Sequence, residues 1–411
     1  MKTIISVNGG RLWSRMMDMA QFGALPGGGC NRQALTDEDL AGREQFIQWC
    51  RDIGCSIRID TIGNIFARLP GQDDTLAPVI TGSHLDTQPS GGKFDGIYGV
   101  LGGLEVLATI VESGRQHRRP LEVVVWTNEE GCRFDTAMMG SAVWSGNMSL
   151  ADAYALVDRN GATVEQELTR IGHLGDIPAA VFEVHAALEL HIEQGPVLEA
   201  ERKEIGVVTG VQHMSRHRVV IQGQEAHAGP TPMTLRKDPM MALARFLPQL
   251  YALADQHAPD GRVTFGYIDA SPGSSNTVPG RLELTVDIRH PQQQAYDAML
   301  AGFEKAVSNA CTSLDLPFDM HCFWLAPGIE FNGHCVDAVR RATQSRDYSC
   351  RDIVSGAGHD ACNLSSVVPT SMIFIPCADG LSHNEAEYAE PEHLTQGANI
   401  LLDAMLTLAD Q

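Results

Sequence analysis

Basic residues are scarce in this chain: 30 Lys+Arg stand against 51 Asp+Glu in 411 residues, a net charge of −21. Nucleic acid and anionic membrane surfaces both require a basic face, so neither is an expected partner. Long apolar runs are missing as well. The stretch from Val100 to Val111 comes closest to the roughly 20 residues of a membrane span, and Glu105 interrupts it. The opening Met1-Lys2-Thr3-Ile4-Ile5 has too short an apolar run for a secretory signal, so the cytoplasm is the expected compartment. Paired cysteines are absent too. The ten cysteines form no C-x-x-C unit, which excludes a disulfide framework and leaves small, reduced, buried thiols as the expectation. No repeat or low-complexity tract is visible. What remains is ordinary globular composition, 44% hydrophobic and 20% charged. The chain is too long for one core, and two or three domains are expected.

Periodicity organises the chain. Thr36 with Asp39 makes a capping-box pattern at the head of a helix that reaches Cys50 or Ile53, with Phe46, Ile47, Cys50 and Ile53 as its apolar stripe. Ser56–Ile59, Ile65–Leu69 and Pro78–Thr81 read as strands, and Gly96–Glu112 as a buried helix. Leu121–Trp126 is apolar enough for an interior parallel strand. Leu150 to Ala186 reads as polar and helical. From Val211 the pattern changes to strand, helix, strand, strand, helix, strand: His217–Gln222, Arg236–Gln256, Arg262–Ile268, Arg281–Arg289, Gln292–Ser313 and Phe318–Trp324. That is the split βαβ, ferredoxin-like plan. The fold class expected is therefore α/β in two domains, a discontinuous α/β domain (1–210 and 327–411) interrupted by an α+β insertion at 211–326.

Potential metal ligands gather at the ends of the strands. His84 and Asp86 follow Val79-Ile80-Thr81, and Asp95 precedes the buried helix. Glu129 and Glu130 follow the strand through Trp126, His191 lies in Glu189-Leu190-His191-Ile192, and His383 follows the strand Met372–Ile375. Open α/β sheets place their sites at the carboxyl ends of their strands. Each residue alone has a plainer reading: a hydrogen-bonded structural histidine, a turn aspartate between glycines, a solvated glutamate pair. Their joint order has a more specific one, a two-metal site. His84 and His191 would hold one ion, Glu130 and His383 the other, and Asp95 would bridge them. Glu129 would be the general base, and the Asp86 carboxylate would orient the His84 ring from behind. Imidazole and carboxylate suit zinc and also manganese, cobalt or nickel, so two divalent ions are expected without their identity.

The motifs Gly82-Ser83-His84-Leu85-Asp86-Thr87-Gln88, Gly92-Lys93-Phe94-Asp95-Gly96, Asn128-Glu129-Glu130-Gly131, His191-Ile192-Glu193-Gln194-Gly195, Ala226-His227-Ala228-Gly229, Asn276-Thr277-Val278-Pro279-Gly280, Ser355-Gly356-Ala357-Gly358-His359-Asp360 and Ser382-His383-Asn384-Glu385 span nearly the whole chain. With Asn8-Gly9-Gly10-Arg11-Leu12-Trp13, they resemble the amidase, hydantoinase and carbamoylase branch of the co-catalytic, aminoacylase- and carboxypeptidase-like metallopeptidases. N-carbamoyl-L-amino acid hydrolases and β-ureidopropionases look nearest, and a histidine at 191 fits that side of the family. The resemblance implies a zinc-peptidase-like catalytic domain whose insertion is a lid and dimerisation module, hence a homodimer. It implies that His227 reaches the partner subunit's active site to stabilise an oxyanion, and that Asn276 and Arg289 bind a substrate carboxylate. It adds Gln194, Gln212 and Gly358 as substrate contacts.

The residues leave alternatives beside these roles. Arg289 could pair with Asp287, Asn276 could belong only to a hairpin loop, and His227 could be a lid surface residue. His213, where the family commonly carries glycine, could line the pocket or cap the hinge. The expected activity is hydrolysis of the ureido group of an N-carbamoyl amino acid, a small molecule with a carboxylate. Allantoate hydrolysis is the alternative within the enzyme class, and a catalytically silent binding protein on the same scaffold is the alternative outside it.

Overall fold

Four apolar strands, Leu121–Trp126, Val79–His84, Ala186–Ile192 and Thr370–Ile375, lie side by side and parallel at the centre of a nine-stranded sheet among the described residues. The computed structural model describes residues 5–411, so most of the opening segment considered for a secretory signal lies outside the described residues. Both faces of the sheet are covered, which is why these strands read as continuous apolar runs rather than alternating ones. Ile80, Val124, Trp126 and Ala187 pack on one face with Trp144, Leu364 and Val368. Against the opposite face lies the buried helix Ile97–Ser113, whose Gly103 faces Thr81 and Val123 too closely to admit a side chain. Antiparallel strands Ile65–Leu69 and Ile205–Val211 flank the parallel centre.

Two compact units divide the chain: Met1–Gly210 with Glu330–Gln411, and Val211–Ile329. In the second, a four-stranded antiparallel sheet runs in the spatial order Phe318–Ala326, His213–Gln222, Arg281–His290, Arg262–Ser271. In chain order that is 4-1-3-2, the ferredoxin-like arrangement. Leu282, Leu284, Val286 and Ile288 alternate inward to meet Phe246 and Leu250 of the helix Pro239–Gln256 and Met299 and Phe303 of the helix Gln293–Thr312. The return to the larger unit comes after Ile329 rather than after 326.

Some local expectations change. Helix Asp37–Asp52 has Thr36 as its cap, accepting from Asp39 N–H at 3.3 Å. Asp39 does not complete the capping box, because its carboxylate accepts from Leu35 N–H and pairs with Arg43. Between Leu150 and Ala186 only Leu150–Ala155 and Val164–Arg170 are helical, and glycines at 161 and 172 with positive φ break the rest. A helix not expected from periodicity spans Gly9–Met19. Its signals are the Asn8 cap on Arg11 N–H and the buried series Leu12, Met16, Met19. Arg11 and Arg15 of that helix pair with Glu105, the charge that interrupts the apolar helix. No helix among the described residues is long and apolar enough to cross a membrane.

Candidate metal centre

The parallel strands all end at one edge of the sheet, and the turns leaving them carry the candidate ligands. Asp95 is the centre of the cluster. Its Oδ1 lies 3.2 Å from His191 Nε2 and 3.8 Å from His84 Nε2, while its Oδ2 lies 3.3 Å from His383 Nε2. His383 Nε2 is also 3.3 Å from Glu130 Oε2. Donor atoms of His84, Asp95 and His191 fall within 4.8 Å of one another, and so do those of Asp95, Glu130 and His383. Ligands about 2.0–2.2 Å from a tetrahedral ion stand roughly 3.3–3.6 Å apart, so the contacts on Asp95 suit cations on either side of its carboxylate.

Donor chemistry agrees with that spacing. His84 Nδ1 donates to the Asp86 carbonyl at 2.8 Å, and His191 Nδ1 to the Ile192 carbonyl at 2.9 Å. Backbone acceptors thus engage Nδ1 in both rings and turn Nε2 towards Asp95. The cluster also holds more buried negative charge than its protein partners neutralise. Burial, with repulsion from Asp95, pushes Glu130 up to about 8. Burial and then repulsion from Asp360, Glu130, Asp86 and Asp95 push Glu129 well above the usual carboxylate range. Burial works against the charged form of His191, yet its hydrogen bond to Asp95 holds it at about 9. The hydrogen bond to Asp95 likewise raises His383 to about 9. Divalent cations would satisfy the same carboxylates. The residues present fit a pair of divalent metal ions.

Other details fix the local backbone. Gly96 has φ +71°, and a Cβ there would stand 2.3 Å from the His84 ring, so only glycine lets the Asp95 turn close over that imidazole. Asn128, Gln194 and His383 all hold positive φ, placing backbone strain at and beside the candidate ligands. Glu129 lies 3.4 Å from His84 Nε2. The Asp86 carboxylate does not hold the His84 ring as expected: it is 4.0 Å from Nδ1, which its own carbonyl engages instead. That carboxylate accepts from the N–H groups of Glu129 and Glu130, each at 3.2 Å, and so orients the glutamate pair. Gln194 turns its amide onto Asp95 Oδ2 at 2.9 Å.

A third group, Glu189, His191 and His359, also has ligand spacing. Its donors already have protein partners. Glu189 accepts from Ser83 Oγ and Ala361 N–H, and His359 Nε2 meets Ser355 Oγ at 2.9 Å. Three further residues at the centre escaped sequence reasoning in their own right. Gln88 holds Glu130 through its backbone N–H and its amide, at 3.1 and 2.7 Å. Ser382 Oγ lies 3.0 Å from Asp95 Oδ2, and Glu387 accepts from Asp95 N–H.

The remaining candidates belong mostly to the small unit. A two-stranded ribbon pairs Ala226–His227 with Thr277–Val278, which brings His227 and Asn276 together on exposed backbone. Ala228 N–H donates to the Asn276 carbonyl, and the Asn276 side chain accepts from the Ser274 hydroxyl at 2.9 Å. Arg289 is paired with Asp287, its Nε and terminal nitrogen at 2.6 and 2.9 Å from the two carboxylate oxygens. Gln212 is buried. His213 stacks on Tyr296 and accepts from Gly328 N–H at 2.8 Å, which ties together the two ends of the small unit. Gly358 lies in the large unit, where a Cβ would meet Met138 at 3.2 Å.

Comparison with known proteins is consistent across the chain. Residues 80–407 match the model of Peptidase family M20/M25/M40. The N-carbamoyl-L-amino-acid amidohydrolase of Rhizobium meliloti is 44% identical over 404 residues, covering 98% of this chain and 97% of that protein. The allantoate amidohydrolase of Bacillus subtilis is 31% identical over 393 residues, covering 95% of each. A crystal structure of an amidase of the hydantoinase/carbamoylase family from Burkholderia multivorans superposes with a TM-score of 0.96, at 48% identity and 99% coverage of both chains. The chain belongs to Peptidase family M20/M25/M40, a family of metal-dependent hydrolases.

Proposed function

We propose that this chain hydrolyses the ureido C–N bond of N-carbamoyl-L-amino acids, or of N-carbamoyl-β-alanine, to the free amino acid, ammonia and carbon dioxide. The observation that carries this reading is the pair of ligand groups meeting at Asp95, with Glu129 beside them. It stands in a chain 44% identical to a relative named for that activity. His84 and His191 would hold one divalent cation, Glu130 and His383 the other, and Asp95 both. Zinc is our assignment, and manganese, cobalt or nickel suit the same donors. When bound, the cations would polarise the ureido carbonyl and make a water more acidic.

The chain's own groups do the rest. Glu129 takes the proton of the attacking water at its carboxylate and delivers it to the leaving nitrogen. Asp86 keeps Glu129 and Glu130 aimed by holding both of their N–H groups. From the small unit, Arg289 and Asn276 bind the substrate carboxylate, a planar fork and an amide suited to an anion. Gln212 and Gly358 complete the substrate contacts. In a homodimer, His227 of one subunit stabilises the developing oxyanion in the other.

Allantoate hydrolysis is the second reading, favoured by the Bacillus subtilis relative at 31% identity. Ammonia release from N-carbamoyl-L-alanine, N-carbamoyl-β-alanine and allantoate, each with added zinc, manganese, cobalt or nickel, separates them. The fastest turnover is expected on an N-carbamoyl amino acid. A preference for allantoate would install the second reading, and inactivity on every substrate with metal fully loaded would remove both.

A further inference from the structure

The carboxylate common to both ligand groups is held from almost three hundred residues further along the chain. Glu387, only 4% exposed, accepts through Oε1 from Phe94 N–H at 2.9 Å and from Asp95 N–H at 3.0 Å. Its Oε2 lies 2.9 Å from Ser382 Oγ, the hydroxyl that also stands 3.0 Å from Asp95 Oδ2. Gly92 leaves the space for this, since a Cβ there would stand 2.0 Å from Glu387 Oε1. Neighbouring rings close the same joint. Phe94 meets Tyr388 edge to face with centroids 5.9 Å apart, and Trp13 packs 6.1 Å from Phe94 and 6.4 Å from Tyr388. The dipeptides Phe94-Asp95 and Glu387-Tyr388 are therefore joined by two hydrogen bonds from backbone N–H groups to the Glu387 carboxylate and by a ring contact. The Asn8-Gly9-Gly10-Arg11-Leu12-Trp13 motif supplies the aromatic brace.

We propose that Glu387 is a positioning residue that fixes Asp95 for both metal positions at once, an inference that rests on Asp95 being the shared ligand. Two accepted N–H groups set the peptide plane on the amino side of Asp95, and with it the direction in which the Asp95 side chain leaves the backbone. Because Asp95 Oδ1 faces His84 and His191 while Oδ2 faces His383, a rotation of that carboxylate disturbs both positions together. Gln88 differs, because it holds Glu130 and so serves one position. Glu387 also lies four residues beyond His383 on the same loop, so the bond that orients Asp95 keeps two ligand loops in register.

Calorimetric titration of the metal-free full chain with zinc, with bound metal counted by mass spectrometry, tests this. Glu387→Ala is expected to weaken both ions together, roughly 10- to 100-fold. Glu387→Asp, too short to reach both N–H groups, should behave the same way and replaces the alanine variant if melting curves show the latter unfolded. Glu387→Gln should load both ions as the parent does, because an amide oxygen still accepts both bonds, and Gln88→Ala should weaken one ion only. Parent-like loading in Glu387→Ala, loss of a single ion, or a Gln variant as weak as the Ala variant would each overturn the proposal. Asp95→Ala separates the underlying assumption: if it keeps both ions, Asp95 is not the shared ligand, whatever Glu387 does.

Discussion

In the large unit, Asp86, Asp95 and Glu129, all buried, and the half-buried Glu130 lie in one cluster and meet imidazoles, amides and backbone N–H groups. In the small unit, Glu283 and Asp287 stand on the sheet face away from the helices, each between arginines: Arg218 and Arg281 for Glu283, Arg216 and Arg289 for Asp287. The first group carries negative charge that fixed cations do not balance, and burial with mutual repulsion raises Glu129 and Glu130 accordingly. The second is a cross-strand ladder in which each carboxylate has its counter-ion built in. Unmatched buried charge is costly unless a ligand completes it, so it marks where a cation belongs. Matched charge on a part-exposed sheet tolerates change, and it becomes functional only where one arginine can exchange its carboxylate for a substrate's.

Substitutions can sharpen that contrast. The largest effect is expected from Glu129→Gln: kcat should fall by about 10²- to 10⁴-fold, as for loss of a general base, while metal content by mass spectrometry stays that of the parent. Loss of metal would instead make Glu129 a ligand. Gly96→Ala should follow. With φ +71° and a Cβ 2.3 Å from the His84 ring, it should cost about 1–3 kcal/mol in denaturant unfolding and weaken zinc loading; unchanged loading would mean that the Asp95 turn does not set His84. Arg289→Ala in the small unit should raise KM roughly 10- to 100-fold, the worth of charge-assisted hydrogen bonds, with a smaller change in kcat. An unchanged KM would leave Arg289 as Asp287's partner alone. The smallest effect is expected from Arg218→Ala, a ladder residue, at below about 1 kcal/mol in chemical unfolding with kinetic constants unaltered.

Legibility in the sequence followed the range of the interactions. The small unit's plan was readable because period-2 strands such as Arg281–His290 and long amphipathic helices write their pattern locally. The helix Gly9–Met19 was not, since three buried positions among polar ones make a thin stripe and its packing depends on Glu105. His84, Glu130 and His383 could be singled out because each follows an apolar strand, and parallel pairing brings those strand ends together. What holds the ligands was hidden for the opposite reason. Glu387 reaches Asp95 across 292 positions and Gln88 reaches Glu130 across 42, and no local pattern encodes such pairings. Asp86 shows the same limit: its spacing from His84 suggested a carboxylate behind the ring, but the turn geometry gives that place to its carbonyl.

The central assignment, two cations sharing Asp95, is tested most directly by anomalous scattering from crystals of the full chain grown with zinc. Two peaks are expected per chain, one among His84, His191 and Asp95 and the other among Asp95, Glu130 and His383. A single peak, or a peak among Glu189, His191 and His359, would contradict it.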